Sequence, residues 1–239
     1  KVKKRLISSP RLTKTHIKKE KIVVIDFGGQ YAHLIANKIR GLNVASEIKD
    51  PSSPLKGIAD VKGIIFSGGP ASVYEKGAPR IDAKIFRLGI PILGICYGHQ
   101  LIAQELGGKV TAGVREFGKT LLGINYPGPL FKGLKQKEIV WMSHGDKVAR
   151  VPCGFNVLAA SRDCPVAAMG DLKRKIFGVQ FHPEVTHTPS GLKILDNFVE
   201  ICRCKRDWTI ANFIQRITKE IEEKAGQRQV FLLASGGVD

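Results

Sequence analysis

The segment that most restricts the fold is Gly94-Ile95-Cys96-Tyr97-Gly98. An apolar run over 90–95 leads into it, and a helix-like run over 99–106 leads out. A strand that stops at a small-X-nucleophile-X-small turn and then enters a helix is a nucleophile elbow. The turn is too tight for side chains on the flanking residues, hence the glycines. The reactive residue here is a cysteine rather than the usual serine. A sulfur at a helix N-terminus lies at the positive end of the helix dipole, which favours its anionic form. Such a sulfur needs a proton carrier and an oxyanion site close by.

The flanking pattern supplies the sheet that an elbow requires. Residues 21–27 read as a buried strand ended by Gly28-Gly29. Residues 31–42 read as an amphipathic helix with Leu34, Ile35, Ile39 and Leu42 on one face. Strands follow at 44–48 and 63–66, separated by a Pro/Ser loop over 50–54. A short helix over 80–88 precedes the strand at 90–95. This alternation predicts an α/β fold, with an open, mostly parallel sheet flanked by helices. Active sites in such sheets lie at the carboxyl ends of strands. Gly69, Cys96 and the turn after Phe27 all fall there.

From 110 to 181 the pattern shifts to short runs at 121–126, 138–142, 156–160, 166–169 and 176–181, with Pro, Gly and Asp in the turns. This predicts an added antiparallel region. A helix is expected over 191–201. A boundary falls near 204–206. Beyond it an amphipathic helix is expected over 207–224, capped by Asp207, stopped at Gly226 and carrying Trp208, Ala211, Ile214, Ile217 and Ile221 on one face. A buried strand over 229–234 then opens into Ser235-Gly236-Gly237-Val238-Asp239. The division expected is a basic tail over 1–20, a main domain over 21–204, and a linker helix with the first strand of a further domain over 205–239.

Charge and cysteines narrow the function classes. The net charge is +17, and residues 1–21 hold nine Lys or Arg against one Glu, about half of the excess. A solvated tail is the plain account of that run. It has no interleaved aromatics on which bases could stack, which disfavours a nucleic-acid partner. Five cysteines, an odd number without framework spacing, suggest a reduced cytoplasmic protein. No set of residues at metal-site spacing occurs, so no metal is expected. No apolar run reaches the ~18 residues of a membrane span, and the basic start lacks the apolar core of a signal peptide.

Two further segments complete a site. In Gln180-Phe181-His182-Pro183-Glu184, positions 182 and 184 project to the same face of an extended chain. Glu184 can then orient His182 and favour its imidazolium, as the third member of a triad does. In Ser67-Gly68-Gly69-Pro70, glycines let backbone amides approach a substrate closely. An amide from that loop and the Tyr97 N–H could hold the oxyanion of a tetrahedral intermediate, each donor worth ~3–4 kcal/mol of barrier. Cys96, His182 and Glu184 thus read as an acyl-transfer site, open to an amide, ester or peptide substrate.

The motif set resembles the class I glutamine amidotransferases. It comprises Asp26-Phe27-Gly28-Gly29-Gln30-Tyr31, Phe66-Ser67-Gly68-Gly69-Pro70, Gly94-Ile95-Cys96-Tyr97-Gly98-His99-Gln100, Trp141-Met142-Ser143-His144-Gly145-Asp146 and Gln180 through Thr188, in order over 21–239. The nearest resemblance is to the branch that feeds ammonia to the amination of XMP to GMP. The resemblance implies hydrolysis of glutamine to glutamate and ammonia, with Cys96, His182 and Glu184 as the triad. It implies Gly69 and Tyr97 as the oxyanion hole, Gln100 as a substrate contact, and Ser143, His144 and Asp146 at the amino-acid end of the substrate or at a domain interface. For His33 and His99 it implies structural roles. The terminal Ser235, Gly236, Gly237 and Asp239 resemble the start of a pyrophosphatase-type ATP loop. The glutaminase step would need no cofactor. ATP and Mg2+ would serve the rest of a synthetase domain, acting as partner in cis or in trans. A glutaminase subunit for anthranilate, carbamoyl phosphate or CTP synthesis remains open. So does a non-catalytic binding module.

Overall fold

A computed structural model describes residues 20–53, 58–226 and 228. Most of the basic tail, the expected strand over 229–234 and the terminal glycine loop lie outside the described residues.

Strand β1 (Lys21–Ile25) is apolar on both faces because both faces are covered. Ile22 and Val24 join one core, while Val23 and Ile25 join the other. Helix α1 (Ala32–Gly41) follows, burying Ala32, Ile35, Ala36 and Ile39 at the i, i+3, i+4, i+7 spacing of a core-facing stripe. Then come β2 (Ala45–Lys49), β3 (Val61–Phe66) and a 3-10 turn over Ala83–Arg87, in place of the short helix expected at 80–88. Next are β4 (Ile92–Ile95) and α2 (Tyr97–Glu105). The antiparallel part comprises β5 (Lys109–Ile124), β6 (Lys137–Arg150), β7 (Asn156–Ala160) and β8 (Ala168–Asp171). Strand β9 (Ile176–Val179) and helices α3 (Gly191–Cys202) and α4 (Ile210–Ala225) are the last elements of the described residues.

Among the described residues, nine strands form one sheet in the order β2-β1-β3-β4-β9-β8-β7-β5-β6. The pairs among β2, β1, β3, β4 and β9 are parallel, and the remainder are antiparallel. Residues of α1 and α3 fill one core with Leu93 and Ile95. On the other face, Leu101 and Ile102 of α2 pack with Ile64, Phe66 and Ile92.

Three local expectations need correction. Strand β9 is not simply part of the antiparallel region: it pairs parallel with β4 and antiparallel with β8, and so welds the two halves together. Strands β5 and β6 are far longer than the apolar runs at 121–126 and 138–142. Their polar extensions pair with each other, and the register shifts between Ala112 and Glu116. Helix α4 is capped by Thr209, whose Oγ1 accepts from the Asn212 N–H at 3.1 Å, rather than by Asp207. The Trp208 N–H is tied to the Asn43 carbonyl at 2.9 Å, which holds the preceding turn out of the helix. None of the α4 residues is buried, and Ile214 and Ile221 are 56% and 52% exposed.

Candidate active site

The carboxyl ends of β1, β3, β4 and β9 open onto one cavity of about 680 Å3, as the parallel topology requires. Cys96 sits at the end of β4 with φ 51° and ψ −103°, a conformation that a side chain adopts only under constraint. The constraint is visible. Its N–H is held by the Val179 carbonyl at 2.8 Å, and its carbonyl already accepts from the Gln100 N–H at 3.1 Å. The flanking residues have no room for a side chain. A Cβ on Gly94 would lie 2.4 Å from the Gly98 carbonyl oxygen, and one on Gly98 would lie 2.6 Å from the Phe66 oxygen.

His182 follows β9 and is 4% exposed. Its backbone is clamped on both sides. The His182 N–H donates to the Trp141 carbonyl at 3.0 Å, and the Thr188 hydroxyl donates to the His182 carbonyl at 2.7 Å. The same hydroxyl oxygen accepts from the Trp141 N–H at 3.0 Å. The ring places Nδ1 2.7 Å from Oε1 of the fully buried Glu184 and lines the same cavity as Cys96. The Tyr31 ring packs edge-on to it at 5.3 Å. Burial disfavours the imidazolium. Hydrogen bonds and charge from Cys96 and Glu184 outweigh that, raising the His182 pKa from the usual 6.5 to about 10.

The other expected residues also gather here. Gly69, Gln100, Ser143, His144 and Asp146 line the cavity with Cys96 and His182. The Tyr97 side chain points away and hydrogen-bonds the Pro79 carbonyl at 2.6 Å. Only its backbone, the first residue of α2, faces the elbow, and first-turn amides have no acceptor within their helix. The Ser143 carbonyl accepts from the Cys96 thiol at 3.7 Å. His144 is buried with both ring nitrogens engaged, Nδ1 with the Asp146 carbonyl at 3.0 Å and Nε2 with Glu116 at 3.2 Å. Asp146 Oδ1 accepts from the Tyr74 hydroxyl at 2.7 Å across the cavity rim. His99 is fully buried against the Val166 carbonyl, and burial lowers its pKa to about 3. His33 is exposed on α1.

Sequence reasoning missed Glu116 and gave Gln180 no role. Glu116 is isolated in a polar stretch and gave no signal. Gln180 did carry one, since it shares the period-two face of His182 and Glu184. Among the described residues there is no group of three or more His, Cys, Asp or Glu able to hold a metal, and no helix long and apolar enough to cross a membrane.

A strained cysteine at a strand–helix elbow, on the carboxyl edge of a parallel sheet, defines an α/β protein of the nucleophile-elbow class. Residues 23–202 match the family described as glutamine amidotransferase class-I, and the chain belongs to that family. It is 51% identical over 227 residues to a GMP synthase [glutamine-hydrolyzing] of Caldanaerobacter subterraneus subsp. tengcongensis, covering 93% of this chain and 44% of that protein. It is 52% identical over 224 residues to the same-named protein of Caldicellulosiruptor saccharolyticus, covering 92% of this chain and again 44% of the relative. The chain thus spans less than half the length of these curated relatives. Among solved structures, a candidate GMP synthase subunit from Thermoplasma acidophilum superposes with a TM-score of 0.71 at 33% identity, covering 84% of this chain and 98% of that one. A glutamine amidotransferase from Thermotoga maritima, with a TM-score of 0.60 at 21% identity over 86% of this chain and 92% of its own, shares the fold.

Proposed function

We propose that this chain hydrolyses glutamine to glutamate and ammonia with Cys96 as nucleophile, His182 as proton carrier and Glu184 as the group that orients it. The observation that carries the proposal is the placement of Cys96 and His182 on one cavity, with His182 Nδ1 2.7 Å from Oε1 of the buried Glu184. The thiolate attacks the carboxamide carbon of glutamine. The backbone amides of Gly69 and Tyr97 receive the oxyanion. The His182 imidazolium gives its proton to the departing nitrogen, and ammonia leaves. Water then adds to the γ-glutamyl thioester, with His182 taking its proton. Collapse frees glutamate and restores the thiolate–imidazolium pair. Gln100 and Ser143 line the path from sulfur to rim, and Asp146 offers a carboxylate to the substrate's α-ammonium. His144 acts behind them.

The names and lengths of the relatives support a wider role. In a complete protein the ammonia would pass to a synthetase domain, in cis or in trans, that aminates XMP to GMP with ATP and Mg2+. The segment over 205–239, including the Ser235, Gly236, Gly237 and Asp239 loop, is assigned to the start of that domain. The exposed apolar residues of α4 are in keeping with this.

The test is release of glutamate from glutamine, measured with the native chain and with Cys96→Ala side by side. Equal release from both overturns Cys96 as nucleophile. The pH profile is a second check. The raised His182 pKa keeps the imidazolium through neutrality, so activity should hold across neutral pH and fall as pH rises through about 10. In Glu184→Gln the alkaline fall should move toward neutrality by a unit or more, because the carboxylate's charge is gone. An unmoved limb would remove Glu184 from the role assigned to it. The same ionisation contributes to stability. That contribution is complete below about pH 6.5, where the unfolded imidazole is protonated too, and is lost as pH rises through about 10.

A further inference from the structure

Behind the sulfur lies a chain of buried polar side chains in which two members, Gln180 and Glu116, have no role in the mechanism above. The Gln180 carboxamide, on a fully buried side chain, donates from Nε2 to Cys96 Sγ at 3.6 Å. Its Oε1 accepts from Gln100 Nε2 at 3.1 Å. The same Gln100 nitrogen donates to the Asp146 carbonyl at 2.9 Å. His144 Nδ1 meets that carbonyl at 3.0 Å, and its Nε2 lies 3.2 Å from Glu116 Oε2. Glu116 is 9% exposed and also accepts from the hydroxyls of Thr120 at 2.9 Å and Ser161 at 3.3 Å.

The direction of this chain is fixed by its middle. A carboxamide can be turned end for end, and its orientation must come from its partners. A backbone carbonyl only accepts, so the group of Gln100 that faces Asp146 has to be the NH2. Its second hydrogen then faces Gln180, which must answer with oxygen. The Gln180 NH2 is left pointing at the sulfur. The backbone thus sets the polarity of both side chains, and the bonds from Gln100 to Gln180 and from Gln180 to Cys96 both run toward the sulfur. On the far side, the His144–Glu116 pair holds the carbonyl where Gln100 needs it. The register that pairs Glu116 with His144 across β5 and β6 puts the two side chains together.

We propose that Gln180 is a further catalytic residue, a fixed donor to the Cys96 sulfur. Gln100 and the His144–Glu116 pair act as positioning residues that hold its amide in the donating orientation. A donor aimed at sulfur favours the anionic nucleophile over the neutral thiol. It also steadies the sulfur as leaving group when the thioester collapses. The inference rests on Cys96 being the nucleophile, but its test needs no substrate.

Alkylation of Cys96 by iodoacetamide, followed by mass spectrometry of the Cys96 peptide, reads the thiolate directly, apart from the exposed Cys153. In Gln180→Met, which keeps bulk and removes the donor, the rate at pH 7 should fall about tenfold. The deficit should close at alkaline pH, where the thiol ionises unaided. A packing defect would not close in this way. A native rate at pH 7, or a deficit that persists unchanged at high pH, overturns the proposal. Should Gln180→Met lose its cooperative melt, Gln100→Met decides in its place. It frees the Gln180 amide to turn, so a loss of about threefold is expected, and a native rate is again fatal. Normal glutamine hydrolysis with native alkylation in the variant refutes this inference alone. A native chain inert to glutamine whose variant still alkylates slowly refutes the glutaminase reading and leaves the donor standing.

Discussion

Cys96→Ala is expected to abolish glutamine hydrolysis, with a loss of at least about 10^4-fold in kcat, while the fold is unchanged. The two halves of this expectation have separate causes. The loss follows because none of Cys153, Cys164, Cys202 and Cys204 lines the cavity. Cys164 is buried with its thiol pushed up to about 12, mainly by desolvation, and Cys202 is buried at the end of α3. The intact fold follows because the strain at this position comes from having any Cβ at φ 51°, and alanine keeps the Cβ. The His182–Glu184 contact at 2.7 Å does not depend on the sulfur. Thermal melts of the two proteins should therefore agree within a few degrees, while glutamate release differs by orders of magnitude. A variant that still releases glutamate at the native rate would end the case for Cys96.

The second large effect falls on stability. Gly98→Ala should destabilise the fold by more than about 3 kcal/mol, lowering Tm by about 10 °C. The new methyl would lie 2.5 Å from Phe66 Cβ and 2.6 Å from the Phe66 oxygen. Neither atom can yield, because Phe66 closes β3 and is fully buried in the core beneath α2. Relief requires α2 to lift from the sheet, which carries Cys96 and the Tyr97 amide with it, so activity should fall too. Gly41→Ala is the matching control. Nothing lies within 4 Å of a methyl there, the residue ends α1, and a slight gain of up to about 1 kcal/mol is expected. A melt of Gly98→Ala within a degree or two of native would show that the elbow is looser than its contacts indicate.

Much of the site was legible because its chemistry sits in contiguous residues. The Gly94 to Gly98 turn declares a strained elbow by composition alone, since only glycine fits beside Cys96. His182 and Glu184 declare a pair by their two-residue spacing. The sheet was legible where strands are apolar on both faces, as in β1, β3 and β4. It was not legible over the first part of β5. There one face is solvated, Gly113, Arg115 and Gly118 interrupt the pattern, and pairing with β6 supplies the order. The cap of α4 was misjudged because the Trp208–Asn43 hydrogen bond joins residues remote in sequence.

By itself the sequence determined the local devices: the elbow, the His–Glu pair, the glycine loop after β3 and the alternation that makes a parallel sheet. Each depends on residues within a few positions of one another, where sterics and periodicity suffice. Tertiary structure alone decided that β9 lies beside β4, and so that a ring 86 residues from Cys96 shares its cavity. It also decided that Glu116, His144, Gln100 and Gln180 connect, through the Asp146 carbonyl, into one hydrogen-bonded chain. Those contacts come from strand register across a nine-stranded sheet. Register is set by the sum of both cores, a quantity that no single segment contains.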